Sequence, residues 1–146
     1  MRSIHDRYLQ MARVLGAPPQ RVRFETTPQE DGSPYIEGVD GEWHSVRTAH
    51  GREIERRKTS DPDELLFWLI SDLTFSMARD WERERRIEGE DIRRQLFRKD
   101  VELLSGVRPD WAKRKSEEYE KILGPYPFAV GKKNTGDGEA SGSSSP

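Results

Sequence analysis

Residues 60–75 read SDPDELLFWLISDLTF, and this stretch decides the fold. Asp61 followed by Pro62 is typical of a helix start, because an Asp side chain caps free backbone N–H groups and proline fits the first helical turn. From Leu65 to Phe75 the residues are apolar on almost every side of a helix. The sequence therefore predicts a buried helix at the centre of the fold.

Upstream of this helix, the pattern predicts one further helix and a small sheet. Apolar residues at helical spacing run from Ile4 to Leu15, and Gly16 provides a stop. Alternating segments then predict strands, and Asp40-Gly41 and His50-Gly51 are typical of two-residue hairpin turns. We expect an antiparallel meander of about four strands, at residues 21–27, 35–39, 42–48 and 52–57.

Downstream, Gly89 is expected to break or kink the helix, with Glu90 and Asp91 at the start of the next helix, which runs to Leu104; a last helix follows from Pro109 and stops at Gly124-Pro125. The fold class predicted is α+β: an N-terminal helix, the meander, and a C-terminal bundle of three helices packed on one face of the sheet. Residues 1–128 are expected to form a single domain. Residues 129–146 form a low-complexity polar tail, which we expect to be disordered.

Composition restricts the functional classes. The chain of 146 residues has a net charge of −2 and no cysteine, which excludes disulfides, thiol nucleophiles and thiolate metal sites. The N-terminus contains no continuous apolar segment typical of a signal peptide. The run LLFWLI is far shorter than the roughly 20 residues that a membrane span needs. We therefore expect a soluble, cytoplasmic protein that does not bind membranes.

No catalytic motif is apparent. The histidines His5, His44 and His50 form no metal-binding pair, and no phosphate-binding glycine loop or nucleophile elbow occurs. His44 shares a strand face with Glu42, and a structural or surface role is expected for it. The sequence predicts no catalytic residue, no metal ligand and no cofactor.

Residues 79–99 are densely charged, with eight basic and six acidic side chains. A helix that binds nucleic acid needs a large positive excess to release counterions, and here most of the charge is balanced within the segment. Two interpretations stay open: a solvated face with local ion pairs, or charges that converge on the bend at Gly89 and fix the two helices.

Four segments together resemble the immunity protein 63 family of bacterial polymorphic toxin systems. The resemblance covers roughly residues 51–128. Its sharpest motif is RIEGEDIRRQLF at residues 86–97, and PYPF at residues 125–128 is a second mark. The chain departs from the family pattern after PYPF, where Ala129 and Val130 stand in place of acidic residues. The segments are GREIERRKTSD, DELLFWLISDLTFSMARDWE, RRIEGEDIRRQLFRKDVELL and PDWAKRKSEEYEKILGPYPF.

The resemblance implies a non-enzymatic cytoplasmic protein that binds and neutralises a cognate toxin by stoichiometric inhibition. Its partner would be the toxin domain, and no cofactor is implied. Aromatic and arginine side chains are the usual anchors of protein interfaces, and acids beside the bend complete the candidate set. The candidate contact residues are Trp43, Arg52, Trp81, Arg85, Arg86, Glu88, Asp91 and Arg93.

A second function is also compatible with the sequence. The arginines around Gly89 would serve a small nucleic-acid-binding or regulatory module, whose affinity would fall steeply with salt. The near-neutral charge of the segment disfavours this alternative.

Overall fold

The computed structural model describes residues 2–129. The predicted tail therefore lies outside the described residues from position 130 onward. One helix, three strands and three more helices follow one another, which confirms the α+β class. They are α1 (Arg2–Leu15), β1 (Tyr35–Val39), β2 (Glu42–Ala49), β3 (Arg52–Thr59), α2 (Pro62–Glu84), α3 (Ile92–Ser105) and α4 (Pro109–Leu123), and a short 3-10 turn lies at Pro19–Arg21.

The chain divides into two compact units, and the boundary lies between Leu73 and Thr74, inside α2. The first unit contains α1, the sheet and the first half of α2. The second contains the remainder of α2 together with α3 and α4. That residues 1–128 form one domain stays a prediction.

Helix α1 ends at Leu15, immediately before Gly16, as predicted. Gly16 has a φ of +67°, and its N–H donates to the Arg13 carbonyl at 3.0 Å. The N–H of Ala17 reaches back to the Ala12 carbonyl at 3.1 Å. This pair of bonds is the Schellman arrangement, which satisfies carbonyls that the helix end leaves free.

The sheet is an antiparallel meander in the order β1-β2-β3. Both predicted hairpin turns are present: Asp40 and Gly41 have φ values of +50° and +79°, and His50 and Gly51 have +54° and +73°. Positive φ at both central positions is the pattern of a type I′ turn, whose twist matches that of the flanking strands.

The prediction of about four strands was too high by one, since residues 21–27 form no strand. The N–H of Ile36 in β1 donates to the Glu25 carbonyl at 2.8 Å. The Arg23 guanidinium instead binds Glu25 at 3.3 Å and Asp31 at 2.8 Å within its own loop. The polar side chains of this segment thus fold the loop around Arg23, and they take the place of a regular ladder.

A β-bulge interrupts β3. Arg47 lies opposite Glu55, and Thr48 lies opposite Glu53, so Ile54 is the extra residue without a partner on β2. A bulge changes the direction of a side chain and increases the local twist. Ile54 is 62% exposed as a result.

The first half of α2 begins as predicted, because the N–H of Asp63 donates to Asp61 Oδ1 at 2.9 Å. Within the first unit this half contacts the sheet: the Arg57 guanidinium lies 4.6 Å from the Trp68 ring centroid, and Arg47 lies 3.5 Å from Asp72. Trp68 is half-buried, and six other apolar residues of this half are buried as expected. They are Leu65, Leu66, Phe67, Leu69, Ile70 and Leu73.

In the second unit, α3 and α4 pack against each other through aromatic and aliphatic side chains. The rings of Phe97 and Tyr119 are stacked with centroids 3.8 Å apart and nearly parallel planes. Leu96 and Leu104 of α3 and Trp111 of α4 are also buried. Two isoleucines are exposed at helix ends: Ile92 begins α3 and Ile122 is next to last in α4.

A carboxyl group lies in this core. Asp100 is 0% exposed, and it accepts a hydrogen bond from the Tyr119 hydroxyl. Burial raises the pKa of Asp100, although hydrogen bonds from Thr74 and Tyr119 partly offset the rise. Burial and the neighbouring Asp100 carboxylate likewise raise the pKa of Tyr119.

The second hairpin turn yields a stability prediction. A Cβ added at Gly51 would meet no atom within 4 Å, so the cost of Gly51→Ala arises from the left-handed backbone alone. We expect a loss of about 1–2 kcal/mol in the free energy of unfolding, measured by urea denaturation. The matched control is Gly38→Ala, which is also in open space but has an ordinary φ. It should be neutral or stabilising by up to about 1 kcal/mol, and equal losses in both variants would contradict this account.

Asp100 predicts a particular pH dependence. Because its pKa is raised in the folded state, its contribution to stability is greatest below the unfolded pKa of about 3.9 and is lost as pH rises through the folded value. Asp100→Asn keeps an acceptor for Tyr119 without the charge. The unfolding free energy of this variant relative to the unchanged chain should therefore increase between pH 4 and pH 7. A relative stability that is constant, or that falls with pH, would contradict the burial of an ionisable carboxyl group.

Candidate partner-binding site

The densely charged segment forms a helix–turn–helix junction at residues 85–91, between α2 and α3. The N–H of Arg85 closes the last turn of α2 on the Glu82 carbonyl at 3.0 Å, and that of Glu90 donates to the Ile87 carbonyl at 3.1 Å. Gly89 has a φ of +85°, a conformation that glycine adopts without steric cost. The predicted break therefore occurs here, and it sets the direction in which α3 leaves the junction.

On the α2 side of the junction, Glu82 carries a buried carboxylate that is only 4% exposed. Arg86 binds it through two hydrogen bonds of 3.0 and 2.9 Å, which lower the pKa of Glu82. A buried charge is costly unless it is paired and hydrogen-bonded. Arg86 thus has a structural role in holding this carboxylate, although its own side chain is about half exposed.

On the α3 side, Asp91 is the N-cap. Its Oδ1 accepts the N–H of Arg93 at 3.0 Å, and its Oδ2 accepts the Arg93 guanidinium and the backbone N–H of Ala129, each at 2.9 Å. These hydrogen bonds, those from the Arg93 side chain first, hold the pKa of Asp91 well below its usual range. The carboxylate therefore joins the start of α3 to the segment after α4.

The segment after α4 lies along the first turn of α3. Arg93 Nη2 donates to the Pro127 carbonyl at 2.9 Å. The guanidinium of Arg94 lies 4.4 Å from the Phe128 ring centroid, and that of Arg93 lies 5.8 Å from it. The two sequence motifs, RIEGEDIRRQLF and PYPF, are thus in direct contact.

Trp81 is surrounded by three cationic side chains. Lys99 Nζ lies 5.0 Å from the indole centroid, and the guanidinium carbons of Arg85 and Arg98 lie at 5.1 and 5.7 Å. Cations within about 6 Å of an indole face are attracted by its quadrupole. We refer to Trp81, Arg85, Arg98 and Lys99 as the Trp81 cluster.

The sequence model of the Immunity protein 63 family matches residues 40–121, which is more than half of the chain. The chain belongs to the Immunity protein 63 family. No curated protein and no solved structure matches the chain. The matched range includes the whole junction and ends before PYPF at residues 125–128. The contact between the two motifs therefore joins a segment inside the matched range to one outside it.

In this immunity protein, the eight candidate contact residues do not form one site. Trp43 pairs with Thr59 at one end of the β2–β3 ladder, whereas Arg52 pairs with Ala49 at the other end. The other six lie between Trp81 and Arg93. Among these six, Arg86, Asp91 and Arg93 hold the junction together, while Trp81, Arg85 and Glu88 take part in none of the buried ion pairs at the junction.

Two residues of the Trp81 cluster were missing from the candidate set. Arg98 and Lys99 belong to α3, and their approach to Trp81 depends on how α3 leaves the junction. The spacing of residues along α2 does not indicate that contact. A signal was present only in the dense positive charge of residues 93–99.

His44 is buried, and its structural role was partly foreseen. It lies 3.4 Å from Glu42, as the shared strand face suggested, but its closest polar neighbour is Arg56 Nη1, 2.6 Å from Nδ1. Because a guanidinium only donates hydrogen bonds, Nδ1 acts as the acceptor. Arg56 also binds Glu53 and Glu37, so the group ties all three strands together.

Neither a metal site nor a membrane-spanning helix is found in the part of the chain that the structure describes. Among residues 2–129, no group of three or more His, Cys, Asp or Glu side chains could hold a metal ion. Within the same range, every helix is too short or too polar to cross a membrane.

The Asp91 contacts predict a loss of stability on substitution. Asp91→Ala removes the N-cap and the partner of Arg93, and it should lower the free energy of unfolding by at least about 1 kcal/mol. Since the pKa of Asp91 is lowered in the folded state, the contribution of its charge is complete above the unfolded pKa of about 3.9, is smaller at about pH 3, and is lost only as pH falls through the lower folded-state pKa. Denaturant unfolding at pH 7 and pH 3 measures both effects.

Two further variants are matched controls. Asp91→Asn retains an N-cap acceptor without the charge and should lose less stability than Asp91→Ala. Glu88→Ala removes an exposed acid from the same junction and should change stability by less than about 0.5 kcal/mol. A loss for Glu88→Ala as large as that for Asp91→Ala would contradict the assigned role of Asp91.

Proposed function

We propose that this protein binds a cognate polymorphic toxin domain and neutralises it by stoichiometric protein–protein inhibition. It would act in the cytoplasm and protect the producing cell or its siblings. The observation that carries the proposal is the family match over residues 40–121. In this mechanism the protein needs no catalytic group of its own, because occupation of the toxin surface is sufficient for inhibition.

The size of such a complex sets a requirement on the surface. A stable interface buries about 800 Å² on each partner, roughly a tenth of the 8849 Å² exposed here. A single tryptophan and its neighbours cover less than that. We therefore infer that the toxin contacts a wider area, in which the Trp81 cluster contributes the strongest contacts and surrounding polar residues form the rim.

The positions of the candidate residues support a division of roles. Arg86, Asp91 and Arg93 bind buried or half-buried groups of the chain itself, so their substitution would weaken folding before it weakened toxin binding. Trp81, Arg85 and Glu88 are the better candidates for direct contact at the junction. Trp43 and Arg52 stay as proposed contacts at the two ends of the β2–β3 ladder.

The alternative function, nucleic-acid binding around Gly89, has less support in the side-chain contacts. Arg86 and Arg93 are engaged with carboxylates of the same segment, and Arg94 lies 4.0 Å from Glu90. Arginines that already neutralise acids release few counterions from a phosphate backbone. We retain nucleic acid as an outcome of the tests and not as a second proposal.

Co-expression with the toxin domain encoded beside this chain tests the function. With the two proteins under separate inducible promoters, cells should survive while the immunity protein is in excess and die once the toxin outnumbers it. A purified 1:1 complex should form, with a dissociation constant of about 1 nM or lower, equivalent to about −12 kcal/mol. Light scattering gives the stoichiometry, and calorimetry gives the affinity.

The dependence on dose separates inhibition from enzymatic protection. An antidote that destroys or modifies the toxin would protect cells even when it is outnumbered, whereas a stoichiometric inhibitor fails beyond one equivalent. Cell death with this protein abundant, together with the absence of a complex, would refute the pairing.

A further inference from the structure

The arginines of the Trp81 cluster differ from the other junction arginines in what they bind. Arg86 and Arg93 each hold a carboxylate that is at least nine-tenths buried. Arg98 instead contacts the Trp81 ring and donates to the Gln95 side chain. Within residues 2–129 its guanidinium forms no ion pair, so it has no direct carboxylate partner to give up on binding.

Arg85 is only weakly compensated. It lies 3.3 Å from its sequence neighbour Glu84, and the two side chains are 54% and 73% exposed. Exposed pairs of this kind contribute little, because water screens both charges. Arg85 can therefore exchange Glu84 for an acid of another molecule at small cost.

The indole brings two of these cations together. The guanidinium carbons of Arg85 and Arg98 lie 5.1 and 5.7 Å from the ring centroid, within the range of a cation–π contact. A guanidinium carries its N–H donors in a planar fork that matches the two oxygens of a carboxylate. Trp81 thus gathers two groups that can bind carboxylates, one from the junction and one from α3.

Apolar and acidic neighbours indicate the class of partner. Ile87 within the junction and Ile92, the first residue of α3, are exposed, and tryptophan, arginine and apolar side chains are typical of protein interfaces. Glu84 and Glu88 are also exposed close to these arginines, so the surface carries both signs of charge, which a protein surface with acidic and basic side chains can match and a uniformly negative polyphosphate chain cannot. The mixture favours a protein surface over nucleic acid.

We propose that the Trp81 cluster docks an acidic surface of the cognate toxin, with Arg85 and Arg98 donating to its carboxylates. This inference rests on the proposed function, since it assigns the partner chemistry to the same protein complex. Lys99, also in α3, stays paired with Glu102, 3.5 Å away. We assign it to contact with the Trp81 ring and not with the toxin.

Charge reversal tests the assignment. The double variant Arg85→Glu/Arg98→Glu should bind the neighbouring toxin domain at least about 30-fold more weakly than the unchanged protein, as expected when interfacial charge pairs are lost. The matched control is Arg79→Glu. Arg79 is exposed on α2, and two residues along a helix place it about 200° around the axis from Trp81. The affinity of the Arg79→Glu variant for the toxin should change by less than about 3-fold, because residue 79 lies outside the proposed contact and its charge acts only at a distance.

A compensating change identifies the partner group. Asp and Glu residues of the toxin are changed to Arg one at a time. At least one of these toxin variants should bind the double variant about 10-fold or more tightly than the unchanged toxin does, by the coupling expected of charge pairs. Circular dichroism and denaturant unfolding check that the double variant folds. If it does not, Arg85→Gln/Arg98→Gln serves in its place and should weaken binding in the same direction.

The outcomes separate the two proposals. Binding of the unchanged toxin with unaltered affinity by the charge-reversed protein would overturn the docking assignment and leave the toxin-binding function in place. Absence of binding by the unchanged protein would overturn the proposed function and the docking assignment with it. Tighter binding of a 20-base-pair DNA duplex than of the toxin, lost in the double variant, would overturn the assignment in favour of nucleic acid.

Discussion

The arrangement of the second unit depends on the hydrogen bonds and the ion pair of the Asp91 carboxylate. This carboxylate caps α3 and binds the Arg93 guanidinium, and it also accepts the backbone N–H of Ala129. A helix end leaves N–H groups without partners, and an anion placed there satisfies them and is favoured by the helix dipole. One side chain therefore fixes both the start of α3 and the position of the chain that follows α4.

The same principle explains how a strongly charged junction is divided between folding and binding. The least exposed carboxylates of the junction, Glu82 and Asp91, each bind one arginine of the segment, Arg86 and Arg93. Among the other arginines of the segment, Arg85 and Arg98 lie over Trp81. Both interpretations left open by the sequence thus apply to different residues: part of the charge converges inward on the bend, and part of it is presented outward on an aromatic support.

Local chemistry was predictable from the sequence, whereas contacts between elements were not. The Asp61 cap, the His50-Gly51 turn and the break at Gly89 each depend on a few adjacent residues, and all three are present. The predicted strand at residues 21–27 was wrong because Arg23 binds acids within its own loop, which alternation does not reveal. In the site, Trp81 and Arg85 could be nominated by residue type, but the approach of α3 to Trp81 required the structure.

Hydroxyl-radical footprinting of the complex with the neighbouring toxin domain tests the central claim most directly. The chain has four tryptophans, at positions 43, 68, 81 and 111, and each gives a separate oxidation rate by mass spectrometry. We predict that Trp81 loses most of its reactivity on toxin binding, while Trp111, buried in the free protein, stays unreactive in both states. An unchanged rate at Trp81, with protection appearing at Trp43 instead, would contradict the account and place the toxin on the sheet.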